Sequence, residues 1–149
     1  MFIIIAGAPG TGKSWYIKEM LRKWGIDEGQ VLAMDINHEY NTPYRFYDHN
    51  QLIEVSSKLK NKVILFEEAT SFFSFANSKK VKSYFTTHRH KNHTIFANFH
   101  SLASIPADLL MAVDYLYYTE TLEKRPPDWV KGLDTYTLYT RAELIPLIQ

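Results

Sequence analysis

The 149-residue sequence contains no cysteine, which excludes a disulfide framework. No apolar run approaches the roughly 18 residues needed to span a bilayer. The start of the chain has no basic region followed by a long apolar stretch, so neither a transmembrane segment nor a secretory leader is expected. Charge of one sign is not in excess either. Seventeen Lys and Arg against sixteen Asp and Glu leave a net +1, so any nucleic acid or anionic membrane must be met by a local patch. Arginines are few and scattered, at Arg22, Arg45, Arg89, Arg125 and Arg141, with no arginine-rich lid. There is no internal repeat and no low-complexity segment. What the chain does have is apolar mass: 46% hydrophobic residues, with ten Tyr, nine Phe and three Trp, describe a packed globule and not a disordered tail. The length fits a single domain, 1–149.

Six residues into the chain, directly after the apolar run "MFIIIA", stands "GAPGTGKS". It meets the pattern G-x-x-x-x-G-K-[ST] in full, between an expected strand and an expected helix, "KSWYIKEMLRKWG". Glycines allow successive backbone N–H groups to converge on phosphate oxygens, and the helix presents its positive end to the same anion. Gly7, Ala8, Pro9, Gly10, Thr11, Gly12, Lys13 and Ser14 are the expected nucleotide-binding residues. Lys13 is to reach the β- and γ-phosphates and the Ser14 hydroxyl a magnesium ion. A plain turn needs neither the lysine nor the hydroxyl.

Apolar runs alternate with helical stretches along the rest of the chain: "FIIIA", "VLAMD", "VILFE", "TIFANF" and "DYLYYTE" read as five strands with crossovers, hence an α/β fold with a mostly parallel sheet covered on both faces. "DTYTLYT" reads as a further strand after the break at "RPPDWVKG", and "RAELIPLIQ" as a tail. Ligands sit at the carboxyl ends of such strands, and there lie Gly7, Asp35, Glu67, Glu68 and Asn98. Glu67 is assigned to the metal and Glu68 to the attacking water; the alternative is a pair of exposed acids. Side chains alternate along a strand, so both reach one site only if the chain bends. Asp35 and Glu39 orient magnesium waters, grip a neighbour or merely close a turn.

The loop, the double acid and "VLAMDINHEY" together resemble the FtsK/HerA superfamily of DNA-pumping ATPases, whose second strand ends in an aspartate followed by a glycine-glutamate-tyrosine-like group; here stand Asp35, His38, Glu39 and Tyr40. The resemblance continues through "HRHKNHTIFANFHSLASIPADLLMAVDYLYYTET" and covers about residues 2–121, leaving 122–149 as a C-terminal extension. Within the superfamily the chain looks most like viral genome-packaging ATPases, and is similar to the zonula occludens toxin-like assembly proteins of filamentous phages. Those assembly proteins carry a membrane segment, so its lack here favours packaging over export.

The resemblance implies a three-layer α/β/α P-loop NTPase of the RecA/ASCE type. It implies ATP and Mg2+ as cofactors, a homo-oligomeric ring such as a hexamer, Arg89 as an arginine finger and Asn98 as the polar sensor. Catalysis would fall to Lys13, Glu67, Glu68, Arg89 and Asn98, with Ser14 and Glu67 on the metal. Two positions depart from the pattern: Glu67 stands where aspartate is usual, and Asn98, or His100 in its place, where glutamine is frequent.

From Lys79 to Lys91 there are Lys79, Lys80, Lys82, Arg89 and Lys91 and no acid. This segment is the expected contact with double-stranded DNA phosphates; a solvated face is the alternative for the lysines. The interleaved Phe72, Phe73, Phe75, Tyr84 and Phe85 are expected in the core or at a subunit contact. His88, His90, His93 and His100 match no zinc spacing. Trp15 and Trp24 on the first helix read as packing residues. The leading expectation is an ATP-driven motor that packages a viral genome, docking on a capsid vertex, in the host cytoplasm or with the virion. The rival readings are a small-molecule or nucleotide kinase, and a nucleotide-switched assembly protein with weak hydrolysis.

Overall fold

The computed structural model describes residues 1–70 and 78–149, with the backbone alone at residues 78, 80–82, 86, 88 and 89. Phe72, Phe73 and Phe75, and the side chains of Lys80, Lys82 and Arg89, therefore lie outside the described residues.

Among the described residues seven strands form one sheet in the order β3-β2-β4-β5-β1-β6-β7. They are β1 (Phe2–Ala6), β2 (Leu32–Met34), β3 (Arg45–Phe46), β4 (Val63–Phe66), β5 (Thr94–Phe99), β6 (Tyr115–Tyr118) and β7 (Thr137–Thr140). All neighbours are parallel except β6 and β7. The helices are α1 (Lys13–Lys23), α2 (His49–Ser57), α3 (Ser78–Thr87), α4 (Ala107–Ala112) and α5 (Arg141–Ile148).

β1 lies between β5 and β6, and all five of its residues are buried. Its odd and even side chains point to opposite faces, and both faces are covered, which is why its sequence is an unbroken apolar run rather than an alternating one. Phe2, Ile4 and Ala6 join Leu52, Phe85, Leu109 and Leu144 from α2, α3, α4 and α5. Ile3 and Ile5 join Ile17 and Leu21 of α1. Helices on both faces make three layers, as expected from the sequence.

Two elements differ from the sequence reading. β3 is two residues long and extends the sheet beyond β2; so short a strand has no periodicity to recognise. The segment read as a tail is α5, helical despite Pro146 within it. A capping box explains its start: Thr140 Oγ1 accepts from the Glu143 N–H at 3.3 Å, and Glu143 Oε1 accepts from the Thr140 N–H at 3.2 Å. Leu144 then anchors α5 in the core.

The cap gives a direct test. Thr140→Ala removes it and is expected to lower stability by about 1 kcal/mol, read as a lower urea midpoint with unchanged slope.

Candidate functional site

The phosphate-loop segment is tied to the strands on either side of β1. The Gly7 N–H donates to the Phe99 carbonyl at 3.0 Å and the Ala8 N–H to the Glu120 carbonyl at 2.6 Å. Thr11 Oγ1 donates to the Ala8 carbonyl at 2.7 Å and lies 2.7 Å from Thr119 Oγ1. Gly7 is required by this anchoring, since a Cβ there would fall 1.7 Å from Thr119 Oγ1. Gly12 caps α1 at φ 87, a left-handed conformation that glycine adopts without strain. It has no side chain to satisfy the first N–H groups of the helix, which remain available to an anion.

Lys13 begins α1 and is 8% exposed. Its Nζ donates to the Gly7 carbonyl at 2.5 Å and the Ala8 carbonyl at 3.3 Å, and lies 3.3 Å from His100 Nδ1. Burial holds its pKa below the ordinary lysine value, while Glu67, Glu68 and Glu39 push it back up. On the other side of the imidazole, His100 Nε2 lies 3.3 Å from Glu68 Oε2. An ammonium can only donate, so this network assigns the Nδ1 lone pair to Lys13 and the Nε2 hydrogen to Glu68. The His100 backbone N–H is fixed by Thr70 Oγ1 at 2.9 Å.

β4 ends at Phe66 and the chain turns at Glu67 and Glu68. This is the bend that two consecutive acids need to reach one site, and both line the same cavity of about 770 Å³ with Lys13, Ser14, Glu39 and His100. Glu67 differs from Glu68 in its surroundings. Burial pushes its carboxyl up to about 7; Tyr40 pulls it down, Glu39 pushes it up, Asn98 pulls it down and Asp35 pushes it up. Glu67 Oε1, the Tyr40 hydroxyl and both polar atoms of Asn98 are nonetheless buried without a hydrogen-bond partner. These dipoles are near enough to favour the charged carboxylate but are not in bonding geometry with it.

Asp35, the acid that closes β2, does not reach the cavity. It is fully buried, accepts from the N–H groups of Glu39 and Tyr40, both at 2.9 Å, and pairs with Arg45 Nε at 3.4 Å. Glu39 does reach the cavity, and the Ser14 hydroxyl donates to its carboxylate.

The structure thus brings Lys13, Ser14, Glu67 and Glu68 together and adds His100 and Glu39. Asn98 is 1% exposed and stands behind Glu67, off the cavity wall. Arg89 falls in a 3₁₀ turn, His88–Lys91, at the amino end of β5, whereas His100 follows its carboxyl end. Lys79 is exposed and Lys91 half-buried. Of the histidines, His93 is buried, with Nδ1 accepting from the Lys62 N–H at 3.1 Å and Nε2 beside the Ser56 carbonyl at 2.9 Å. Trp15 is not the packing residue expected from the helix, since it is 65% exposed at the cavity wall; α1 turns that position away from the sheet. Trp24 is partly exposed and stacks on Phe96. Among the described residues no helix is long and apolar enough to cross a membrane.

No protein-family profile matches the chain, and no curated protein matches its sequence. Solved structures do match. The genome packaging NTPase B204 from Sulfolobus turreted icosahedral virus 2, in complex with ATP-gammaS, is similar at TM-score 0.64 and 16% identity, over 95% of this chain and 92% of that one. The same NTPase in complex with sulfate gives 0.59 and 16%, over 79% and 74%. The N-terminal domain of zonular occludens toxin from Neisseria meningitidis gives 0.57 and 17%, over 83% and 77%. The chain therefore has the P-loop NTPase fold of these proteins, and both kinds of protein that its sequence resembles are among its structural neighbours.

Glu67 makes a pH prediction for the ligand-free protein. Its folded pKa of about 7 lies above the ordinary 4.5, so the folded state binds the proton more tightly. The stability this confers is complete below about pH 4.5 and is lost as pH rises through 7, a ceiling on the order of 3 kcal/mol. Glu67→Gln is expected to flatten this part of the profile, measured as the difference between urea midpoints at pH 5 and pH 8 in both proteins.

Proposed function

We propose that the chain is an ATP hydrolase that acts as a ring-forming motor on double-stranded DNA and packages a viral genome. The observation that carries this reading is the line Lys13–His100–Glu68, with Glu67 and Ser14 beside it, at the carboxyl ends of β1, β4 and β5. A triphosphate laid on the loop would meet the free N–H groups of α1 and the Lys13 ammonium, whose burial is costly until an anion joins it. The residues fit a divalent cation: a hydroxyl at Ser14 and a buried, unpartnered carboxylate oxygen at Glu67 are the donors such a hard ion takes, with phosphate oxygens for the rest. Mg2+ bound there supplies neutralisation of the charge spread over the phosphate oxygens.

Hydrolysis needs a group that receives the proton of the attacking water, and Glu68 takes that role. His100 Nε2 holds the Glu68 carboxylate while Nδ1 touches Lys13, so the imidazole is placed to sense whether the γ-phosphate has drawn Lys13 away. Of the two sensor candidates, Asn98 and His100, this favours His100 and leaves Asn98 to brace Glu67. Arg89 stands on a turn separated from its own loop by the length of β5, roughly 20 Å for six residues. A role for Arg89 at a phosphate would therefore be at a neighbouring subunit's site in a ring. The acid-free stretch with Lys79, Lys80, Lys82 and Lys91 is the DNA contact. Glu67, standing where aspartate is usual, supports a second reading, a nucleotide-switched assembly protein with weak hydrolysis.

ATP turnover measured with and without linear double-stranded DNA, over a range of protein concentration, tests the motor. Stimulation that rises steeply with concentration and fades with added salt is expected; flat, DNA-independent turnover excludes a DNA motor. Glu68→Gln is expected to keep nucleotide affinity and lower turnover by about 10²–10⁴-fold; unchanged turnover would take the proton from another group.

Arg89→Ala is expected to abolish turnover in the assembled protein. Mixing it with Glu68→Gln, each inactive alone, restores activity if the arginine works across the interface, and no recovery in mixed rings rejects the finger.

A further inference from the structure

Ser14 and Glu39 are 25 residues apart in sequence, yet the Ser14 hydroxyl donates its hydrogen to Glu39 Oε2. Glu39 is delivered by a loop that is fixed from within. Buried Asp35 holds the backbone N–H groups of Glu39 and Tyr40, Arg45 Nε pairs with Asp35 at 3.4 Å, and the Arg45 guanidinium donates to the Tyr40 carbonyl at 2.7 Å. His38, the residue before Glu39, is held at φ 55, a left-handed conformation unfavourable to residues with a side chain. This much internal fixing is more than a turn between β2 and β3 needs.

A serine hydroxyl has one hydrogen and two acceptor lone pairs. With the hydrogen committed to Glu39, the oxygen retains only lone pairs, which is the state required of a cation ligand. Glu67 Oε1 has no hydrogen-bond partner, and off the cavity wall the Tyr40 hydroxyl and the Asn98 amide, on residues 1% exposed, are likewise left unpaired by the protein. Among the described residues no three His, Asp or Glu are grouped to hold a metal by themselves, so a cation here depends on phosphate oxygens to complete its shell.

We propose that Glu39 is a positioning residue for a divalent cation bound together with a nucleoside triphosphate: its carboxylate fixes the Ser14 hydroxyl as a cation ligand. The proposal rests on reading the cavity as a nucleotide site. In this arrangement the acid that orients the serine comes from the loop after β2, which frees Glu67 at the end of β4 to face the cation side. Outer partners of this kind typically set ligand orientation at a cost of 10–100-fold in metal affinity when removed.

The test is Mn2+ binding by electron paramagnetic resonance to the full chain with a non-hydrolysable ATP analogue, beside analogue binding in EDTA. Glu39→Ala is expected to weaken Mn2+ by about 10–100-fold and to leave metal-free analogue affinity within about twofold. Because Glu39 acts through Ser14, adding Glu39→Ala to Ser14→Ala is expected to change Mn2+ affinity no further. Glu39→Gln keeps the size of the side chain and supplies the same readout should the alanine variant not fold. Unchanged Mn2+ affinity in Glu39→Ala and Glu39→Gln, or effects of Glu39 and Ser14 that simply add, would overturn the proposal while leaving the nucleotide reading standing. A wild-type chain that binds no analogue, with Mn2+ or without, would remove both.

Discussion

A lysine ammonium is buried at the carboxyl end of β1, and the neighbourhood is arranged around the cost of putting it there. Lys13 has two backbone carbonyls and an imidazole within reach, and three carboxylates favour its charge against the desolvation that disfavours it. Carbonyls at a loop are poor compensation for a full charge. Such a site is more stable with an anion than without one, and the free N–H groups of α1 point to where the anion would sit. The rigid parts of the fold follow from this requirement. The loop must not relax around the lysine, so it is bonded to β5 on one side and to the segment after β6 on the other, with Gly7 admitting the close approach of Thr119.

The acids answer the same charge in different ways. Glu68 is linked to Lys13 through His100, so its position depends on where the lysine points. Glu67 is held in a drier pocket, and its carboxyl is driven toward the neutral form in the absence of a cation. Two adjacent residues of one type thus acquire separate characters from their environments, which is the condition for giving them separate roles.

Much of this was legible in the sequence because it is local. β1 is buried on both faces, so its apolar run is continuous, and the glycine-lysine-serine motif follows within a few residues. Glu67 and Glu68 come straight after the apolar run of β4. Other features were hidden because they depend on tertiary approach. Glu39 meets Ser14 across 25 residues, and nothing in "DINHEY" distinguishes the acid that reaches the cavity from Asp35, which ties down the loop. His100 gains its place from lying one residue beyond β5, level with the end of β1 across the register Ala6 to Phe99. Trp15 was misread because an aromatic near the start of an amphipathic helix usually packs, whereas here the first turn is the wall of a cavity. β3 is too short for any periodicity, and α5 is set by a capping box that outweighs its proline. The neighbours at 14–17% identity teach the same lesson from the other side: the fold persists where residue identity does not.

β5 is hydrogen-bonded along its length, to β1 on one flank and β4 on the other. It carries His100 just past one end and the turn with Arg89 before the other. A strand gripped in this way cannot slide by a fraction of a residue, since both ladders would have to break together. Whatever happens at the imidazole is therefore not passed to the far end as a shift of the strand. Any displacement that reached the far end would have to carry β1, β4 and β5 together, as one body.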